Sequence, residues 1–158
     1  MPTKKHVLIV SSAVLLVLSL AGSASAATQA KRESSLLIAV NAARTAHGLK
    51  PLTVDARLTR AARAHSLRML RTSTFSHGAL AARMTASGAR GPLYGENLAW
   101  GVGSRAAART VVRQWLASPA HRRNLLRPGF RRIGVGAPVG TFAGYRGAVV
   151  VTANFAGS

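Results

Sequence analysis

The chain contains no cysteine, which removes disulfides, thiol nucleophiles and thiolate-held zinc from its chemistry at once. Acidic residues are nearly as scarce: Glu33, Asp55 and Glu96 stand against 22 Lys and Arg. Paired-carboxylate glycoside hydrolysis needs two acids on one cleft, and that inventory hardly supplies them. The eight aromatics fall mostly on expected core faces or strands and form no row on which nucleic-acid bases would stack. No phosphate loop, Gly-x-Ser-x-Gly elbow or His-Glu-x-x-His motif occurs. Gly134-Val135-Gly136 lacks the third glycine and the following helix of a dinucleotide fingerprint, so it reads as a detail of a strand.

What is present begins with an address. Lys4 and Lys5 precede an apolar run over residues 7–20, and Ala24-Ser25-Ala26 follows, the order of a secretory signal peptide. The run is shorter than the roughly 20 residues that a membrane-spanning helix needs. The expectation is cleavage after Ala26 and a secreted, extracellular product. The expected organisation is a signal peptide over 1–26, a flexible lead-in over 27–33 and one domain over 34–158. Loss of Lys4 and Lys5 leaves 20 basic residues against 3 acids, a formal charge of +17. Such a surface attracts polyanions, here an anionic cell envelope or glycan, without reading any nucleic-acid sequence.

Apolar spacing predicts a helix over 35–47, capped by Ser34 or Ser35 and closed by Gly48, with Glu33 just ahead of its positive end. A second helix over 56–71 has Asp55 as its cap. A short helix is expected over 80–86 and a glycine-punctuated loop beyond it, carrying Glu96. Ser104 is placed to cap a further helix that ends at Ser118-Pro119, where a short one follows through His121. Residues 133–137 and 148–155 read as strands, with 140–147 as their hairpin connection. Helices first and strands last make the class α+β with an antiparallel sheet.

Two of the three acids thus have structural duties, and Glu96 is left over. The polar residues beside turns are Phe75-Ser76-His77, Gly95-Glu96-Asn97 and Ser118-Pro119-Ala120-His121. Two neutral imidazoles with one carboxylate would suit Zn²⁺ or another borderline divalent ion, with a position left for water. Taken singly, each His is equally well a hydrogen-bonded tie between loop and helix. His65 on the apolar stripe of the second helix, and His47 in the last turn of the first, read as structural. Ser118 and His121 lie three apart on one helical edge, but no acid nearby in sequence would orient the imidazole for nucleophilic chemistry.

The order of several motifs carries more than any one of them. Asn41-x-x-Arg44, Leu49-x-Pro51-Leu52, Leu58-x-x-x-Ala62, Phe75-Ser76-His77, Gly95-Glu96-Asn97, Trp115-x-x-Ser118-Pro119-x-His121 and Ile133-Gly134-Val135-Gly136 together resemble the CAP family of cysteine-rich secretory, antigen-five and pathogenesis-related proteins. The likeness is to its short, bacterial, disulfide-free branch. It implies an α-β-α sandwich with a small antiparallel sheet between helices, and a cleft lined by two His and two acids. His77 and His121 match the two His and Glu96 one acid, with Asn97 as a neighbouring amide. Ser118 stands where the second acid would be, which lowers the charge available for a metal or for hydrolysis. The resemblance also implies a lipid or sterol as possible ligand. The expectation is a monomeric, non-catalytic binding module. The alternative is a divalent-metal-dependent hydrolase with His77 and His121 as ligands and Glu96 as base.

Overall fold

A computed structural model describes the backbone of residues 12–157 and the side chains of residues 24–157. Lys4, Lys5 and the start of the apolar run lie outside the described residues, and the cleavage point expected after Ala26 falls within the first helix. That helix, α1, runs Ser12–Ala46. It is followed by β1 (Thr53–Val54), α2 (Ala56–Thr72), α3 (Leu80–Ser87) and β2 (Tyr94–Gly101). A 3₁₀ turn at Gly103–Ala106 leads to α4 (Ala108–Ala117), α5 (Pro119–Leu125), β3 (Phe130–Gly136), β4 (Val139–Phe142) and β5 (Tyr145–Gly157). Among the described residues no helix is long and apolar enough to cross a membrane.

The sheet is ordered β1-β3-β5-β2, with β4 also paired to β5. All pairings are antiparallel except the short β1–β3 pair, so the sheet is mixed. Strand β5 is buried on both faces, and its alternation sorts the helices. Val149, Val151, Ala153 and Phe155 join Leu36 and Val40 of α1, Val111 and Trp115 of α4 and Leu125 of α5. Ala148 and Val150 meet Met69 of α2, and Ala156 meets Leu58 of α2 and Met84 of α3. This is the α-β-α sandwich. Gly134 and Gly136 let α2 lie directly on β3, since a Cβ at either would come within 2.1 Å and 2.5 Å of the α2 backbone.

Several local expectations are corrected. Residues 27–33 are helical instead of a loose lead-in, because contacts dock them: Arg32 Nε donates to Ala137 O at 3.0 Å and buried Glu33 pairs with Arg63 of α2. Ser34 and Ser35 are therefore inside α1, and Glu33 ties helix to helix instead of meeting a helix start. Asp55 does cap α2, accepting from the N–H groups of Arg57 and Leu58. Ser104 belongs to the 3₁₀ turn, where its carbonyl accepts from Ala107 N–H at 3.2 Å, and Ala107 is the residue that precedes α4. Glu96 lies on a strand, not in a loop, because β5 pairs with β2 along its whole length, from Tyr94 opposite Ala156 to Gly101 opposite Val149.

Candidate functional site

Strand β2 is the last in the sheet order, and its alternation divides the site. Glu96 and Leu98 point to the α2–α3 layer, Asn97 and Ala99 to the α4–α5 layer. Gly95 precedes them because the backbone there touches Phe130 and Asn124; a Cβ would lie 2.7 Å from the Phe130 ring.

On the α2–α3 side the Glu96 carboxylate is 1% exposed and fully engaged. His77 Nδ1 meets Oε1 at 2.8 Å, and Arg83 Nη2 donates to Oε2 at 2.5 Å. With its amide nitrogen turned to the carboxylate, Asn154 of β5 donates to Oε2 at 3.0 Å while its oxygen accepts from Ala62 N–H at 3.2 Å. His65 Nε2 stands 3.9 Å from Oε2 and donates to Ser76 O at 3.0 Å, which leaves its Nδ1 buried without a partner. Burial lowers the proton affinity of His65; the Glu96 charge opposes this, and Arg83 and Arg68 reinforce it. His65 is thus a neutral imidazole with its hydrogen on Nε2. His77, by contrast, is more than half exposed.

On the other side, Asn97 Nδ2 donates to His121 O at 3.0 Å, and Asn97 Oδ1 accepts from Asn124 at 3.1 Å. Asn97 therefore ties strand to helix. Ser118 Oγ and His121 Nδ1 are 2.9 Å apart. His121 holds a proton less readily than a free imidazole, through burial first and the charge of His77 second. The two imidazoles feel each other across the edge of β2. A cavity of about 260 Å³ opens there, lined by Phe75, Trp100, Gln114, Ser118 and His121 among others.

The chain is similar to known proteins over most of this fold. The family described as CAP, the cysteine-rich secretory protein family, matches residues 37–155. This chain belongs to the CAP family. The uncharacterized protein YkwD of Bacillus subtilis is 37% identical over 109 residues, 66% of this chain and 41% of that protein. An extracellular SCP-domain protein of Bacillus anthracis superposes with a TM-score of 0.68 at 27% identity, over 82% of this chain and 41% of the other. An outer surface protein of Borrelia burgdorferi shares the fold at a TM-score of 0.69 and 20% identity, over 81% and 94% of the two chains. The chain thus spans about two fifths of the length of the two Bacillus proteins.

Within this CAP domain, the Glu96 carboxylate does not sit between the two cleft imidazoles. It contacts His77 but not His121, because Arg83, Asn154 and the neighbouring His65 crowd the oxygens on the α2–α3 side. The hydrogen bonds of His77 and His121 use Nδ1 and leave Nε2 of each ring unbonded, while Glu96 is saturated and among the described residues no three His, Cys, Asp or Glu converge as ion ligands. A catalytic zinc site takes three protein ligands. Sequence reasoning missed Arg83 and Asn154 and left His65 in the core. Signals for all three were present: Arg83 is the lone charge in α3, and Asn154 interrupts an apolar strand buried on both faces.

Proposed function

We propose that the protein is an exported module that binds a component of the cell envelope or its surroundings through this cleft and does not turn it over. The observation that carries the reading is the state of Glu96. A general base needs a lone pair facing water or substrate, and this carboxylate spends its oxygens on Arg83, His77 and Asn154 at 1% exposure. With Ser118 at the position of the second acid, the hydrolase alternative lacks a free carboxylate to serve as base. Three further facts support export and adhesion: the signal-like first 26 residues, the formal charge of +17 that remains without them, and similarity to proteins described as extracellular or of the outer surface.

The test uses the purified protein and whole cells. Moderate salt should release the protein from an anionic envelope, because exposed charges are screened beyond about 10 Å at 0.1 M ionic strength. Excess Zn²⁺ should leave the unfolding temperature unchanged, since a specific site would stabilise the fold with occupancy. Salt-insensitive attachment, or a saturable rise with Zn²⁺, would overturn the reading.

A further inference from the structure

The sequence assigns its aromatics mostly to core faces or strands, and the structure gathers four of them at one end of β2. Trp100 sits edge-on to Phe142 with ring centres 5.3 Å apart and tilts against Tyr145 at 5.8 Å, while Phe75 meets Phe142 at 6.2 Å. Phe142 is buried and serves as a pedestal, whereas Tyr145 is 59% and Phe75 45% exposed. A contiguous exposed apolar patch rimmed by polar groups marks an interaction surface. These rings are already braced against one another, so little further freedom is lost when a ligand lands on them.

The polar rim is built as deliberately. The 3₁₀ turn folds back onto the end of β2, and a Cβ at Gly101 would lie 2.9 Å from the Arg105 backbone, so the bare glycine is what brings Arg105 beside Trp100. Trp100, Ser104, Arg105, Gln114 and Tyr145 enclose a groove of about 430 Å³, within the range of ~300–1,000 Å³ typical of small-molecule sites. It shares Trp100 and Gln114 with the cavity over Ser118 and His121, so the two form one trough.

We propose that this trough binds a short strand of acidic polysaccharide, with one sugar ring laid on Trp100 and Tyr145 and its carboxylate held by Arg105. The inference rests on the binding-module reading and adds the ligand class. A pyranose ring offers a face of weakly positive C–H groups to the negative face of an aromatic ring. Its hydroxyl belt matches the Gln114 amide and the Ser104 and Ser118 hydroxyls, and a uronate carboxylate matches a guanidinium. An acyl chain finds no such fit here; the aliphatic groove lies elsewhere, between α1 and α4, lined by Ile38, Ala39, Ala42, Val112 and Leu116. A single-stranded nucleic acid would need cations along its backbone, and among the described residues lining this groove Arg105 is the sole permanent cation.

Trp100 lines both parts of the trough and is the more exposed of the two tryptophans, so the protein's fluorescence reports on the site. The experiment titrates the protein's fluorescence with tetragalacturonate at about 0.15 M salt, with a neutral N-acetylglucosamine tetramer and a thymidine oligonucleotide alongside. Tetragalacturonate should give a saturable change. Tyr145→Ala should weaken it by about tenfold or more, the scale of one lost stacking contact, and Tyr145→Phe should retain it. Arg105→Gln should erase the preference over the neutral sugar, and Ile38→Ala, in the aliphatic groove between α1 and α4, should leave binding intact. A flat titration up to about 10 mM, unchanged binding by Tyr145→Ala, or a stronger response to the oligonucleotide overturns the proposal. If the wild-type titration is flat while salt-sensitive attachment to cells persists, the saccharide inference alone falls; if attachment is also lost, the binding-module reading falls with it.

Discussion

Arg44 and Glu96 are both charges sealed inside the protein, and they are satisfied in opposite ways. Arg44, with no measurable exposure, spends its guanidinium on backbone carbonyls: Nε on Lys50, Nη1 on Leu125 and Arg127, and Nη2 on Phe130, at 2.9 to 3.4 Å. Burial, and then the charge of Arg131, lowers its proton affinity, but an arginine stays charged in proteins. Glu96 is met instead by side chains, and those side chains are incompletely paired: His65 Nδ1 and Arg83 Nε are buried without partners, and His77 opens to solvent. A closed network over main-chain atoms is framework, joining α1 to the ends of α5 and β3. A network with unspent capacity and one exposed member is where a site is expected.

The sharpest way to break that contrast is at Arg44. Replacing it by Met strands several buried carbonyls, and Arg44→Met should cost about 3–5 kcal/mol of stability in urea unfolding. Arg44→Lys should recover little of it, because one ammonium cannot span carbonyls that a planar fork reaches together. Glu96→Gln should cost less, about 2 kcal/mol, since Arg83 and His77 are partly exposed and can turn their charge to water. If Glu96→Gln proved the more damaging of the two, Glu96 would be the framework and the contrast would be reversed.

Acid distinguishes the two regions next. His65 and His121 both hold protons less readily than a free imidazole, chiefly through burial. An unfolded chain takes up those protons near pH 6.5, the folded one only at lower pH. Between the two the unfolded state binds more protons, so stability is complete above about pH 6.5 and is lost as pH falls through that window. The urea midpoint should therefore fall between about pH 7.5 and about pH 5.5, above the range in which carboxylates titrate. His65→Gln should flatten the drop while Arg44 variants keep it. A midpoint that rises on acidification would contradict the burial of both imidazoles. Asp55 responds only in stronger acid: desolvation raises its carboxyl, but hydrogen bonds from Arg132 and from the Leu58 and Arg57 N–H groups more than offset this and leave it lowered.

How much of this was legible before folding depends on the range of the interaction involved. Asp55 and α2 were readable because a cap acts over three residues. The Ile133-Gly134-Val135-Gly136 run was correctly set aside as a cofactor loop, and its purpose, letting α2 touch β3, needs the neighbour to be seen. The strand identity of Glu96 was hidden because its flanking glycines imitate a loop, and only pairing with β5, more than 50 residues later, makes it a strand. Residues 27–33 looked frayed because their anchors, Arg63 and Ala137, are remote in sequence. For the site, His77, Glu96 and His121 stood out as polar residues beside turns, and the resemblance grouped them into one cleft. Arg83 and Asn154 were missed because a partner's charge or amide leaves no periodic trace in the chain.

The smallest expected effect lies in the β4–β5 hairpin and tests whether the two buried networks are independent of the rest. The turn between Phe142 and Tyr145 consists of Ala143 and Gly144, both in the left-handed region at φ of 49° and 83°. Two such residues make the turn of type I′, whose twist suits a hairpin but whose first position disfavours a residue with a Cβ that cannot hydrogen-bond locally. Asn tolerates that conformation without the extra chain entropy that Gly would bring to the unfolded state. Ala143→Asn should therefore raise stability by about 0.5–1 kcal/mol, read as a higher urea midpoint at unchanged slope. The turn contacts neither Arg44 nor Glu96, so this gain should add to the loss from Arg44→Met within about 0.5 kcal/mol. A double variant that departs from the sum would mean that the hairpin is coupled to the buried guanidinium through the sheet, and that Arg44 is less self-contained than its four carbonyls imply.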